Sequence, residues 1–480
     1  MPRRTKIVAT LGPATDDPQV LDELIVAGLD VVRINLSHDR HDRHRERAAQ
    51  VRARAAALGR EIGLLIDLQG PKIRIGQFVG GRVMLHEGDM FAIDGDCPLD
   101  GGTADCVGTT FLTLAADVSA GDTLLLDDGA IELTVISVHG RRVNCTVTTG
   151  GVLSNNKGIN KKGGGLSAPA LTDKDRQDIL FAATLDADYV AVSFVRCADD
   201  VHLARQLFEQ AGGHGGIVAK IERAEALNDL DNIIDASDAI MVARGDLGVE
   251  IGDAKLPAVQ KQLIHLARAR NCVVITATQM MQSMIESPIP TRAEVFDVAN
   301  AVLDGTDAVM LSAESSIGKN PPLVVEALHR ICEEAEKQAR RSAHRIDSVF
   351  GRVDEAIAMA AMYTANHLGV KAIAALTETG STVKWMSRIS SGIPIYALTR
   401  HRMTRHKVTL FRGVYPIAFD VATTDVHEVN HAVIEELLRD GVVNLGDLVI
   451  ITKGDRSGVE GQTNLMKIMR VGEHCLHLED

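Results

Sequence analysis

Eight short apolar runs rich in β-branched residues recur between residues 6 and 312, at 6–11, 31–36, 64–69, 189–194, 217–221, 239–244, 273–278 and 308–312. Helical patterns separate most of them. Strands alternating with helices form parallel β–α units, and eight such units predict a closed (β/α)8 barrel, with an open doubly wound sheet as the alternative. Aromatics are only 3% of the residues, so Val, Ile, Leu and Ala must fill the interior, which suits parallel strands covered by helices. At 480 residues the chain exceeds one compact core, and two or three domains are expected.

The series is interrupted once. Residues 71–168 change to short strands with turn signals such as Gly80-Gly81, Asp94-Gly95 and Asp128-Gly129, which reads as an inserted all-β domain, a β-barrel lid. It leaves the barrel after a strand and so should cover the C-terminal face, with GGGLSAP (163–169) as its hinge. The barrel is then 1–70 and 169–340. A basic polar stretch with Arg340, Arg341, His344 and Arg345 marks a boundary, and 345–480 alternates again as a smaller α/β domain: a helix near 353–368, strands at 372–376 and 447–452, and a helix near 425–440.

Charge and cysteines exclude several classes. The formal net charge of −13 argues against nucleic acid and anionic membrane as partners, so anionic ligands need a local basic pocket. Seven cysteines, odd in number and without a CxxC pair, read as reduced thiols. The apolar run after Arg3, Arg4 and Lys6 is too short for a signal-peptide core and no stretch reaches spanning length, so a cytoplasmic location is expected. The charge-dense segment 38–54 reads as a solvated helix face.

Polar residues gather at the ends of the barrel runs: Arg33, Asn35 and Ser37 after the second, Asp67 at the third, Lys220 and Glu222 at the fifth, Arg244 and Asp246 at the sixth, Thr278 and Gln279 at the seventh. Any one alone is an ordinary surface ion pair or turn. Together on one rim they place both signs of charge where a site for phosphate and metal needs them. Lys220 and Glu222, two apart on a strand, share a face; the carboxylate suits a divalent ion and the ammonium a phosphoryl oxygen. Asp246 supplies a second carboxylate, and Arg33 a planar fork for phosphate.

The segments TKIVATLGPAT (5–15), VVRINLSHD (31–39), DLQGPKIRIG (67–76), NNKGIN (155–160), AKIERAEA (219–226), MVARGDLGVE (241–250), ATQMMQSM (277–284) and SAESSIGKNP (312–321) resemble the pyruvate kinase family, in the family's order and over nearly the whole chain. The resemblance implies a phosphotransferase acting on phosphoenolpyruvate/pyruvate and ADP/ATP, a glycolytic homotetramer using Mg²⁺, with Mn²⁺ as an alternative. It implies that Lys220, Arg33 and Thr278 are catalytic, that Glu222 and Asp246 bind the metal, and that Ala243, Arg244 and Gly245 cradle the substrate carboxylate with Thr278. His38, Arg74 and Lys157 would contact nucleotide phosphates, and Glu314 would support the site. No single strong base stands out as proton donor to the enolpyruvate.

Asn35, Ser37 and Asp67 resemble the family's potassium ligands, but Lys72 stands where the best-known members carry Glu. Members with Lys there resemble the potassium-independent group, so K⁺ should be dispensable, with the Lys72 ammonium near Asp67 replacing its charge. In the third domain Thr377, Thr379, Gly380, Ser381 and Thr382 form a short hydroxyl-rich loop suited to a phosphate, or else to capping a helix. The resemblance makes it an allosteric site. TKGDRSGVEGQTN (452–464) lacks the family's fructose-bisphosphate pattern, which favours a sugar monophosphate or AMP. The competing readings are a metal-dependent pyruvate-enolate lyase or aldolase, which needs no nucleotide, and a catalytically silent metabolite sensor, which has no need of Lys220, Glu222, Asp246 and Thr278 together.

Overall fold

A computed structural model describes residues 2–338, 350–389, 391–425, 427–455 and 461–473. Its barrel is closed: β1 (Lys6–Thr10), β2 (Val31–Asn35), β3 (Gly63–Asp67), β4 (Tyr189–Val192), β5 (Gly216–Ile221), β6 (Ala239–Ala243), β7 (Val273–Ala277) and β8 (Ala308–Leu311) pair in chain order, and β8 returns to β1. All eight runs become strands, and the open sheet is not formed.

Alternation along each strand divides the apolar residues. Ile7, Ala9, Val32, Ile34, Leu64 and Ile66 join the helical shell. Val8, Val31, Leu65, Ala191 and Val218 belong to a second cluster that continues into the C-terminal domain through Met362, Ile373 and Phe411. Only Asn35 and Lys220 among the strand residues are less than fully buried, and both lie toward the C-terminal ends of their strands. The charge-dense segment is helical, His41–Ala57, but not solvated throughout. Arg47 is buried, with Nε 2.7 Å from Asp16 and Nη1 2.6 Å from Asp39.

The inserted segment, expected as a β-barrel, is among the described residues a six-stranded sheet plus a two-stranded ladder, and Arg74 and Ile75 bridge the two edge strands of that sheet through Gly158 and Thr109. Ile159–Lys161, Thr123–Leu126, Ile131–His139, Arg142–Thr149, Met90–Asp94 and Cys106–Gly108 form the sheet, and Gly151–Ser154 pairs with Arg82–Leu85. Ile73, Phe78, Phe91, Leu124 and Leu153 share its core. It meets the C-terminal rim: Gly163 N donates to Glu250 O at 2.9 Å, Arg223 Nη1 donates to Leu166 O at 2.9 Å, and Gly165 N donates to the Glu225 carboxylate. Gly163, Gly164 and Gly165 all have positive φ, and a Cβ on Gly164 would fall 2.5 Å from Glu225 Oε2, so the connection is confined to glycine.

The C-terminal sheet runs Val414–Ala418, Ile395–Thr399, Ala372–Leu376, Leu448–Gly454, Thr463–Arg470, with the last strand antiparallel. The helices near it are Val353–Leu368 and Val429–Arg439. The basic boundary residues Arg340, Arg341, His344 and Arg345 lie outside the described residues. This domain docks on the N-terminal rim, opposite the lid. Lys407 Nζ lies 3.0 Å from Asp238 Oδ1, Arg388 Nη1 2.8 Å from Asp307 Oδ2, and Tyr189 OH donates to Lys407 O at 2.7 Å. No helix among the described residues is long and apolar enough to cross a membrane.

Candidate active site

The barrel brings Arg33, Asp67 and Lys220 together from β2, β3 and β5, with Glu222 just beyond β5. Asp67, fully buried, receives Arg33 Nε on Oδ2 at 2.6 Å and faces Lys220 Nζ with Oδ1 at 3.2 Å. Lys220 Nζ also lies 2.9 Å from Glu222 Oε1. Burial disfavours the charged Lys220, but Asp67 and Glu222 outweigh it and hold the ammonium above its ordinary value. Burial likewise penalises Asp67, yet Lys220 and Arg33 keep its carboxyl below the usual range. Glu222 goes the other way: burial pushes it up, Lys220 opposes, and the nearby charge of Asp246 adds to the rise.

Glu222 and Asp246 are two carboxylates that repel each other, with Lys220 Nζ 2.9 Å from Glu222 Oε1 and Lys72 Nζ 3.9 Å from Asp246 Oδ1, a donor set of the kind that suits a hard divalent cation. Among the described residues no group of three or more His, Cys, Asp or Glu could hold a metal. Mg²⁺ sites usually take one or two protein carboxylates and leave the other positions to substrate oxygens and water.

β6 ends in the helix Arg244–Ile251, whose first amides face the rim. The Gly245 N–H donates to Thr278 Oγ1 at 2.9 Å, so the proposed carboxylate cradle and the proposed catalytic hydroxyl already touch. Thr278 and Gln279 have φ of 65° and 55°, the first of them a β-branched residue for which that conformation is unfavourable. The Arg244 side chain turns inward and fixes that turn: Nε donates to Ala277 O at 3.2 Å and Thr278 O at 3.1 Å, while Nη1 pairs with Asp297 at 2.7 Å. Arg244 thus offers its backbone to the rim and its side chain to the scaffold.

The remaining candidates divide. Arg74 and Lys157 meet on adjoining lid segments, since Ile75 N donates to Lys157 O at 2.9 Å and Arg74 Nη1 to Asn156 O at 2.8 Å. Lys157 Nζ is paired with Asp127 at 2.7 Å. His38 is exposed on the barrel and its carbonyl accepts from His44 Nε2 at 2.8 Å. Asn35 Oδ1 accepts from Ser37 N at 3.1 Å. Lys72, expected near Asp67, has its ammonium 3.9 Å from Asp246 Oδ1 instead; the charge on Asp67 is answered by Arg33 and Lys220. Glu314 is buried and its Oε2 accepts from Ser312 N at 2.6 Å.

Two hydroxyls that the motif reading passed over seat the cations. Lys220 Nζ donates to Ser193 Oγ at 2.7 Å, and Ser193 donates to Leu68 O at 2.8 Å. Arg33 Nη1 donates to Thr10 Oγ1 at 2.9 Å, and Thr10 donates to Leu311 O at 2.7 Å. Each hydroxyl proton is committed to a carbonyl, so a lone pair faces the cation. Both sit at the ends of barrel runs, and the location argument that selected Arg33 and Lys220 would have selected them. Hydrogen bonds to charged groups contribute about 1.5–3 kcal/mol, so Ser193→Ala should lower kcat about 10-fold or more. Thr10→Val should do likewise and Thr10→Ser restore it; equal kcat in Thr10→Val and wild type would remove Thr10 from this role.

Closed barrel, C-terminal-rim cations, a carboxylate pair and a helix N-terminus define a barrel enzyme equipped for phosphoryl transfer. Residues 2–325 match the family model described as the pyruvate kinase barrel domain, and 355–469 the pyruvate kinase alpha/beta domain. Similar proteins include pyruvate kinase II of Salmonella typhimurium, 55% identical over 98% of this chain and 99% of that protein. Pyruvate kinases of Haemophilus influenzae, at 52%, and Mycobacterium tuberculosis, at 42%, are matched over 98% of the chain and 99% of their own length. The chain belongs to the pyruvate kinase family and is an enzyme of that activity, which sets aside the lyase and sensor readings.

Proposed function

We propose that the rim residues divide the transfer of a phosphoryl group from phosphoenolpyruvate to ADP as follows. Lys220 and Arg33 meet the phosphoryl oxygens, Glu222 and Asp246 hold Mg²⁺ or Mn²⁺, and the amides of Ala243, Arg244 and Gly245 receive the substrate carboxylate. When bound, the divalent ion supplies positive charge to the phosphoryl and enolate oxygens. Thr278, beside that cradle, lies where the enolate carbon gains its proton through water. Arg74, Lys157 and His38 serve the nucleotide phosphates, and the glycine connection at 163–165 lets the lid close over them. The observation that carries this reading is the placing of Lys220 between Asp67 and Glu222, an ammonium fixed in direction and kept charged.

The test is pyruvate formation from phosphoenolpyruvate and ADP with Mg²⁺ in an inert monovalent cation. Rapid turnover is expected, and adding K⁺ should change it less than two-fold, because Asp67 already faces two cations and the Lys72 ammonium stands beside Asp246. A many-fold rise with K⁺ would overturn that part.

We further propose that a sugar monophosphate or AMP binds the C-terminal loop. Thr377, Thr379, Ser381, Thr382, Arg400 and Lys453 line a cavity of about 150 Å³. Gly380 precedes the helix Ser381–Arg388 with φ 84°, and no side chain caps that helix, which leaves its amides for an anion. Ribose 5-phosphate, glucose 6-phosphate or AMP should lower the half-saturating phosphoenolpyruvate concentration, and Ser381→Asp should abolish the shift; no response to any of the three sinks the proposal. Residues 456–460 of the neighbouring loop lie outside the described residues. Exposed apolar residues on two flanks, Ile289 and Phe296 at 70% each on the barrel and Tyr363 at 61% on the C-terminal domain, support assembly into a homotetramer.

A further inference from the structure

Cys97 and Cys106 are separated by eight residues, and the sequence offers no reason to pair them. The lid brings them together. Cys97 lies in the turn after Met90–Asp94, its amide bonded to Asp94 O at 3.2 Å, and Cys106 opens the strand that runs parallel to Met90–Asp94. Cys106 and Gly108 share a face of that strand. A Cβ on Gly108 would stand 2.6 Å from Cys97 O, so the Cys97 backbone crosses the face that carries the Cys106 thiol, and glycine is what allows the approach. The Cys97 thiol, which donates to Pro98 O at 3.6 Å, is near enough to act on the titration of Cys106, and both residues are half-buried, open to a small oxidant. Cys145, Cys272 and Cys332 are buried.

We propose that Cys97 and Cys106 are a reversible oxidation site in the lid, at which a hydroperoxide joins them as an intramolecular disulfide. The Cys97 thiolate attacks the peroxide, the O–O bond breaks, the leaving oxygen departs protonated, and Cys97 becomes a sulfenic acid. The Cys106 sulfur then attacks the Cys97 sulfur; the S–S bond forms, the S–O bond breaks, and water leaves with the Cys106 proton. With hydrogen peroxide the sum is two thiols and one peroxide giving one disulfide and two waters.

The order of attack follows from the surroundings. Burial pushes the Cys106 thiol up to about 11, with Cys97 adding to it, which suits Cys106 to the second, resolving step. The Arg142 guanidinium, with Nη1 3.6 Å from Cys106 Sγ and 3.2 Å from Asp94 Oδ2, opposes that rise and steadies the sulfur as it loses its proton. The strand continues into Thr109–Thr110, which hold Arg74 through Thr110 N to Arg74 O at 2.9 Å and Arg74 N to Thr110 Oγ1 at 3.0 Å. The ring therefore closes beside the segment that carries a nucleotide-site residue.

The full-length protein is treated with hydrogen peroxide, alkylated, digested and analysed by mass spectrometry. The expected product is a Cys97–Cys106 linked peptide two hydrogens lighter than the thiols, reversed by dithiothreitol. In Cys106→Ser a sulfenic acid on Cys97 should be trapped by dimedone, and Cys97→Ser should leave Cys106 unlabelled. Sulfinic acid without a linked peptide, a disulfide to a second molecule, or both cysteines alkylated as in untreated protein would overturn the site. Dimedone on Cys106 in Cys97→Ser would overturn the order of attack.

Discussion

Lys220→Met is expected to lower turnover by about 10³-fold or more, the scale on which cations that stabilise a transferring phosphoryl group act. The methionine keeps the length of the side chain and its packing along β5 but removes the charge that Asp67 and Glu222 hold in place. Binding of Mn²⁺, followed by its paramagnetic signal, should persist, because the two carboxylates assigned to the metal remain. Loss of turnover with metal binding retained separates the phosphoryl role of Lys220 from a general collapse of the site. Turnover within ten-fold of wild type would take Lys220 out of that role.

The second large effect is expected at Asp67. Replacing it with asparagine would leave Lys220 and Arg33 facing each other with only a neutral amide between them, in a position that is fully buried in the native protein. Removing one partner from a buried charge cluster costs about 3–5 kcal/mol, so Asp67→Asn should be markedly less stable to urea. Its kcat should fall by about 10²-fold or more, since the two cations proposed to face the phosphoryl group lose their common seat. The stability difference should depend on pH. The folded carboxyl lies below its unfolded value, so its contribution is complete above about pH 4 and is lost as pH falls through the folded value; the variant and wild type should converge there. Equal stability at neutral pH would show that another group answers the two cations.

Much of this was legible before any coordinates. The barrel followed from eight runs such as KIVATL and YVAVSF, because a strand buried on both faces must be apolar throughout, and this pattern survives in sequence whatever the neighbours are. Arg33, Asp67, Lys220 and Glu222 were legible for the converse reason: a charge at the end of such a run has no structural use. The inserted domain was less so. Its half-buried strands mark that a sheet exists, but which edges meet is not written in them: Arg74 and Ile75 bridge the two edge strands of the six-stranded sheet, and a separate two-stranded ladder lies beside it among the described residues. Lys72 illustrates the same limit, since its pairing with Asp246 could not be read from its place in the sequence.

The sequence alone determined the eight parallel β–α units, the ends of the runs on which chemistry collects and the resemblance to the family. These are written locally, in runs of apolar residues and in motifs a few residues long. Only the tertiary structure decided that Asp67 serves two cations at once, that Ser193 and Thr10 seat them, that the Arg244 side chain braces the turn at Thr278, and that Cys97 faces Cys106. Each of these joins residues from different strands or segments, and the energy of such a contact depends on distance and burial in three dimensions, which spacing along a chain does not encode.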